Sequence, residues 1–134
     1  MGNWIPNGPN LIAQIFRIRA AHAPPPEGSI SPMAWGIEAN VIERFASAGI
    51  PQNDVSFARD TYRFNHPDTP SRFVDEFRRY YGPTMNAFEA AEKNGRTDEL
   101  RKELEALFQT QNTAPSKGVT SIPATFLRVT VAVA

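Results

Sequence analysis

Twelve prolines and eight glycines punctuate this chain of 134 residues, and every helix and strand must fit between two such interruptions. Asn7, Gly8 and Pro9 form a turn ahead of Leu11, Ile12, Ile15, Phe16 and Ile18, an apolar set at helical spacing with Gln14, Arg17 and Arg19 mostly opposite. That spacing predicts a first short helix. Pro24, Pro25 and Pro26 then impose a stiff polyproline spacer that ends in Gly28. Ser31 followed by Pro32 marks a second helix, because the serine oxygen accepts an orphan N–H and proline fits the first helical position. Ala34, Ile37, Val41, Phe45 and Ala48 carry that helix to a glycine cap at Gly49, and Pro51 prevents its continuation.

Val55 to Phe64 is rich in aromatic and β-branched residues and lies between turn signals at Asn53-Asp54 and Asn65-His66-Pro67, the mark of a strand. Its alternation slips: Val55 and Phe57 share one face and Tyr62 and Phe64 the other, which requires either a bulge or burial on both sides. Thr69-Pro70 opens a third helix with the stripe Phe73, Val74, Phe77, Tyr80 and Tyr81, broken by Gly82-Pro83. A fourth runs from Pro83 to about Asn94. Thr97 caps a fifth, which sets Asp98 and Glu99 against the positive end of the helix dipole and buries Leu100, Leu104, Leu107 and Phe108. After a polar loop from Gln109 to Ser121, Ala124 to Val133 alternates with Leu127, Val129, Val131 and Val133 on one face. The sum is one α+β domain spanning 1–134: about five helices on a small antiparallel sheet with strands at about 55–64 and 124–133.

The charge balance narrows the partners. Fourteen basic and fourteen acidic residues cancel, so there is no electrostatic footprint for nucleic acid or for an anionic membrane. No apolar run approaches the roughly 18 residues of a membrane helix, and the first residues carry no signal-peptide pattern. The chain has no cysteine, which removes disulfides and thiolate metal sites and fits a reducing cytoplasm. His22 and His66 are far apart and without accompanying ligands, so no metal site is expected. No G-x-S-x-G elbow or other nucleophile motif occurs, and no catalytic residue is expected. Glu38 and Glu43, five apart, fall on different faces of a helix, and Arg78 and Arg79 beside Asp75 and Glu76 read as a solvated face. The side chains left as candidates for lining a small-molecule pocket are Trp4, Phe16, Trp35, Phe77, Tyr80 and Tyr81. Each has core packing as its alternative role.

Trp4-Ile5-Pro6 with Gly8, a helix, a proline run, Ser31-Pro32 and Trp35-Gly36 follow one another in order. Phe77-Arg78-Arg79-Tyr80-Tyr81-Gly82-Pro83-Thr84, the Asn94-Gly95-Arg96 turn and Ile122-Pro123-Ala124 before an apolar strand come after them. This series resembles the C-terminal half of class I, UbiE-like S-adenosylmethionine-dependent methyltransferases over nearly the whole chain. The resemblance implies that the last two strands pair antiparallel, with the final one inserted beside the family's fifth strand, and that this half shapes the acceptor pocket. The donor, by the same resemblance, would bind the other half. Here the glycines stand at 2, 8, 28, 36, 49, 82, 95 and 118 and never reach the G-x-G spacing a donor loop needs. The expectation is a truncated methyltransferase that offers an apolar acceptor surface, binds no cofactor alone and does not transfer methyl groups by itself. Two alternatives stand beside it: a homodimeric small-molecule-binding module, and one half of a split enzyme completed by a donor-binding chain. Strand 124–133, with a flat apolar edge, is the expected dimer contact.

Overall fold

The computed structural model describes residues 1–133. In chain order the elements are β1 (Gly2–Trp4), α1 (Leu11–His22), a 3₁₀ turn (Pro32–Gly36), α2 (Glu38–Ser47), a second 3₁₀ turn (Gln52–Asp54), β2 (Val55–His66), α3 (Pro70–Tyr80), α4 (Gly82–Lys93), α5 (Thr97–Gln111) and β3 (Thr120–Val131). The α+β class holds: five α-helices accompany an antiparallel sheet. That sheet has three strands, in the order β1-β3-β2. The added strand, β1, is too short to alternate in any legible way and exists through its pairing with β3, Trp4 opposite Phe126.

Local chemistry explains the helix starts. Asn10 accepts a hydrogen bond from the Ala13 N–H at 3.2 Å, Ser31 from Met33 at 3.2 Å and Thr69 from Arg72 at 3.3 Å. The fifth helix departs from this pattern. Arg96, not Thr97, occupies its cap position, and the Arg96 side chain instead forks onto Glu99 with two 2.8 Å hydrogen bonds. The second helix departs further, since the expected run from Ser31 to Gly49 divides at Ile37, which is extended. The cause is distant in sequence. A Cβ on Gly36 would sit 2.0 Å from the Trp4 carbonyl oxygen, so the 3₁₀ turn is pressed against β1 and its axis cannot run on into α2.

Both long strands exceed the expected bounds. β2 continues to His66, and β3 runs over 120–131 instead of 124–133, leaving Val133 80% exposed beyond its end. Pro123 does not stop β3. Val129 exchanges backbone hydrogen bonds with Met1, so odd-numbered residues of β3 aim their N–H toward β1, and Pro123 stands beyond the 126–128 stretch that β1 pairs.

The register from Val55↔Val131 to His66↔Thr120 is unbroken, so the slipped alternation of β2 reflects burial on both sides and no bulge. Odd positions Val55, Phe57, Leu127, Val129 and Val131 pack on one face with Val41, Phe45 and Trp35. Even positions Phe64 and Ile122 pack on the other, against α1, α3, α4 and α5, whose contributions include Leu11, Ile15, Val74, Phe88, Leu104 and Phe108. Helices therefore cover opposite faces at opposite ends of the sheet. Where the odd face is bare it carries the Arg63, Asn65 and Ser121 hydrogen-bond group, and the bare end of the even face carries the Asp60–Arg128 ion pair. β3 is the middle strand, so its expected free edge is occupied over 126–129 by β1 and Met1, and near its start by Asn112 and Thr113, which hydrogen-bond Ser121; β1 does not extend over Ile122 to Thr125. Among the described residues no helix is long and apolar enough to cross a membrane.

Candidate functional site

The helix α3 presents residues 73, 76, 77 and 80 along one side, the i, i+3, i+4, i+7 rhythm of a single helical face. Its Thr69 cap and Pro70 fix where it starts over the sheet. Phe77 is buried and Tyr80 is 72% exposed, so the stripe passes from core to solvent along its length. Beyond the helix, Tyr81 adopts an extended conformation that turns the chain into α4 and folds its ring back to 5.3 Å from Phe77. Opposite them the sheet supplies Trp4 from β1 and Phe64 from β2, with ring centroids 5.7 Å apart, and Phe64 lies 5.9 Å from Phe77.

These groups enclose a cleft of about 350 Å³, with Ile12 at its floor and Phe73 and Glu76 along its α3 wall. Phe64–Phe77, Phe73–Phe77 and Phe77–Tyr81 meet at 64°, 89° and 74°. Rings at such angles build corners, not a flat stack, and leave concave space between them. Burial raises the Tyr81 hydroxyl above its ordinary pKa of 10.0, so it is a neutral donor at physiological pH. Trp4 and Phe64 also border a neighbouring hollow of about 410 Å³ with Tyr62 and Phe126, so the two concavities share a wall.

Four of the six sequence candidates, Trp4, Phe77, Tyr80 and Tyr81, thus meet in one place. The other two do not. Phe16 lines a separate groove of about 860 Å³ beneath the proline-rich segment, with Met33 and Pro83. Trp35 packs in the smaller core on the opposite face of the sheet, edge-on to Phe45 and with the Arg44 guanidinium 4.5 Å above its ring. Sequence reasoning missed Phe64, Phe73, Ile12 and Glu76 as lining. For Phe73 and Glu76 the signal was the helical spacing with Phe77 and Tyr80, and for Phe64 it was the change of buried face within β2.

Apart from Glu76, the charged groups around the cleft are already engaged. Arg101 joins Asp75 at 2.6 Å and Glu105 at 2.8 Å, and the Asp75 carboxyl is held below its ordinary pKa of 3.8 chiefly by that Arg101 hydrogen bond. Arg78 reaches Glu92 at 3.8 Å and lies 4.3 Å over the Phe88 ring. His22 is buried at the end of α1 and meets Glu103 at 3.0 Å. Among the described residues no three His, Asp or Glu side chains gather as metal ligands. The lining is mostly apolar, with the Glu76 carboxylate and the Tyr80 and Tyr81 hydroxyls as its main polar groups. Comparison with protein-family models, with curated proteins and with solved structures finds no match for this chain.

Proposed function

We propose that this chain is the acceptor-side half of a methyltransferase-like fold, and that the cleft under α3 takes an apolar acceptor. The observation that carries the reading is the strand order: the last strand lies in the middle of the sheet, antiparallel both to β1 and to β2. The resemblance calls for such an insertion beside the family's fifth strand, whose place β1 takes here. The convergence of Trp4, Phe77, Tyr80 and Tyr81 supports the acceptor role. Methyl transfer depends on holding donor and acceptor in line, and the glycine spacing offers no loop for an adenosyl group. The chain alone therefore positions one reactant only.

Two titrations test the proposal. Calorimetry with S-adenosylmethionine is expected to show no binding, and a micromolar Kd would refute the account of the donor. Titration with 1-naphthol, followed by NMR, is expected to shift resonances of Trp4, Phe64, Phe77 and Tyr81; shifts confined to other residues would refute the acceptor site. A split enzyme, in which a second chain supplies the donor half, fits the same cleft and extends the sheet from the outer edge of β1. In the homodimer reading, two copies meet through strand 124–133, outside the 126–129 stretch that β1 and Met1 already pair. The cysteine-free composition fits a reducing compartment such as the cytoplasm.

A further inference from the structure

We propose that the ligand of the α3 cleft carries a positive charge: an organic ammonium group seated among the rings beside Glu76. This rests on the reading of the cleft as a ligand site and adds the chemical class of the occupant. Six of the lining side chains are aromatic, one is Ile12, and the only charged one is the Glu76 carboxylate. Aromatic faces carry negative potential and attract cations, most strongly where water is excluded. A carboxylate at the same wall adds to that attraction and repels an anionic ligand.

Glu76 is unlike its charged neighbours on α3. Asp75 is tied to Arg101 and Arg78 to Glu92, whereas Glu76 has no ion-pair partner among the described residues. It is half-buried and flanked by aromatic rings at both neighbouring turns of the helix, Phe73 and Tyr80. Burying part of a carboxylate without a counter-charge is unfavourable, and a cationic ligand relieves that cost. No cation lines the cleft itself: Arg72, Arg78 and Arg79 line the adjoining groove along α3, which shares Glu76 with the cleft. Arg79 reaches only the outer rim, 5.9 Å over the exposed Tyr80 ring.

Three probes of one shape separate charge from size: choline, its neutral isostere 3,3-dimethylbutan-1-ol, and the anion 3,3-dimethylbutanoate. Each is titrated into the intact protein with the NMR signals of Trp4 and Tyr81 as readout. Choline is expected to bind about tenfold more tightly than the alcohol, and the anion more weakly than either. In Glu76→Gln, whose fold is checked by circular dichroism, the ratio of the two Kd values measured in that same variant is expected to fall to about twofold. Equal Kd values for choline and the alcohol, or an undiminished advantage in Glu76→Gln, would overturn the inference while leaving an apolar acceptor site in place. Failure of all three probes, with 1-naphthol also failing to perturb the cleft, would remove the site itself.

Discussion

Replacing Gly36 by alanine tests the contact that joins the fold to the cleft. The Cβ of an alanine would lie 2.0 Å from the Trp4 carbonyl oxygen, 2.8 Å from its carbon and 3.0 Å from Pro6 Cδ. Real Cβ atoms essentially never approach closer than 3.0 Å, so the turn and β1 must separate by about 1 Å. The obstacle is the backbone of β1, which the pairing with β3 holds in place through Met1 and its neighbours, and it cannot swing aside as a side chain would. Gly36 does not have a positive φ, so alanine carries no conformational penalty here. On unfolded-chain entropy alone the substitution would stabilise by about 0.4 to 1 kcal/mol. Overpacking of a tight contact costs about 1 to 3 kcal/mol, and a clash with fixed backbone belongs at the upper end of that range, leaving a net loss near 2 kcal/mol. For a chain of this size that lowers Tm by roughly 6 to 10 °C. Urea unfolding of Gly36→Ala should give a lower midpoint at an unchanged slope. Trp4 NMR signals should shift, because β1 carries Trp4 into the cleft. The companion Gly82→Ala has nothing within 4 Å of its new Cβ and should be neutral or slightly stabilising. The contact is disproved if Gly36→Ala proves as stable as the original chain.

The Asp75–Arg101 pair sets a pH dependence. The carboxyl of Asp75 is depressed in the folded state, so its stabilisation is present above the ordinary carboxylate range and is lost as pH falls through the lower folded value. Asp75→Asn should cost about 0.5 to 1 kcal/mol at pH 7, as expected for a pair open to solvent, and the two stability curves should converge as pH falls below the lowered Asp75 value; a difference that persists undiminished in strong acid would contradict this. For the homodimer reading, size-exclusion chromatography at micromolar concentration should give an apparent mass near twice 14.9 kDa, and elution as a monomer would reject it.

Helix positions were legible wherever the cause was local. The apolar rhythms of α1, α3 and α5, the breaks that bound α4 and the caps at Ser31 and Thr69 depend on residues within a turn or two, and the chain displays them directly. The α5 cap, at Arg96 instead of Thr97, was a local miss, whereas three other departures share a different origin. The helix broken at Ile37, the strand at Gly2–Trp4 and the passage of β3 through Pro123 all depend on contacts between segments remote in sequence. A three-residue strand has no periodicity to read, and a proline reads as a boundary until the empty side of its strand is known. The slip in β2 was visible but ambiguous, because a bulge and two-sided burial leave the same mark on the sequence. Within the site, the residues already marked as large aromatics were found, whereas Glu76 was hidden by Arg78 and Arg79, which made it look like part of a solvated ionic face.

The staggered layers explain why a cleft arises at this position. Helices cover the even face of the sheet at the Ile122 end and the odd face at the Val55 end, so each face has a stretch that no helix covers. Solvent alone should make those stretches polar, and two of them comply: Arg63, Asn65 and Ser121 on one face, Asp60 and Arg128 on the other. Between the covered end and that ion pair, however, lies the row Trp4, Tyr62 and Phe126, aromatic and only partly shielded, with Tyr62 53% exposed. Contiguous partly exposed rings beside a concave wall are unfavourable in water, which is in keeping with the proposed ligand surface. Phe64 and Phe77 join that row to the main core, so the rings that would hold a ligand also anchor α3 to the sheet. Occupation of the cleft should therefore stabilise the packing of α3, the element that contributes Glu76, and couple ligand affinity to the stability of the fold.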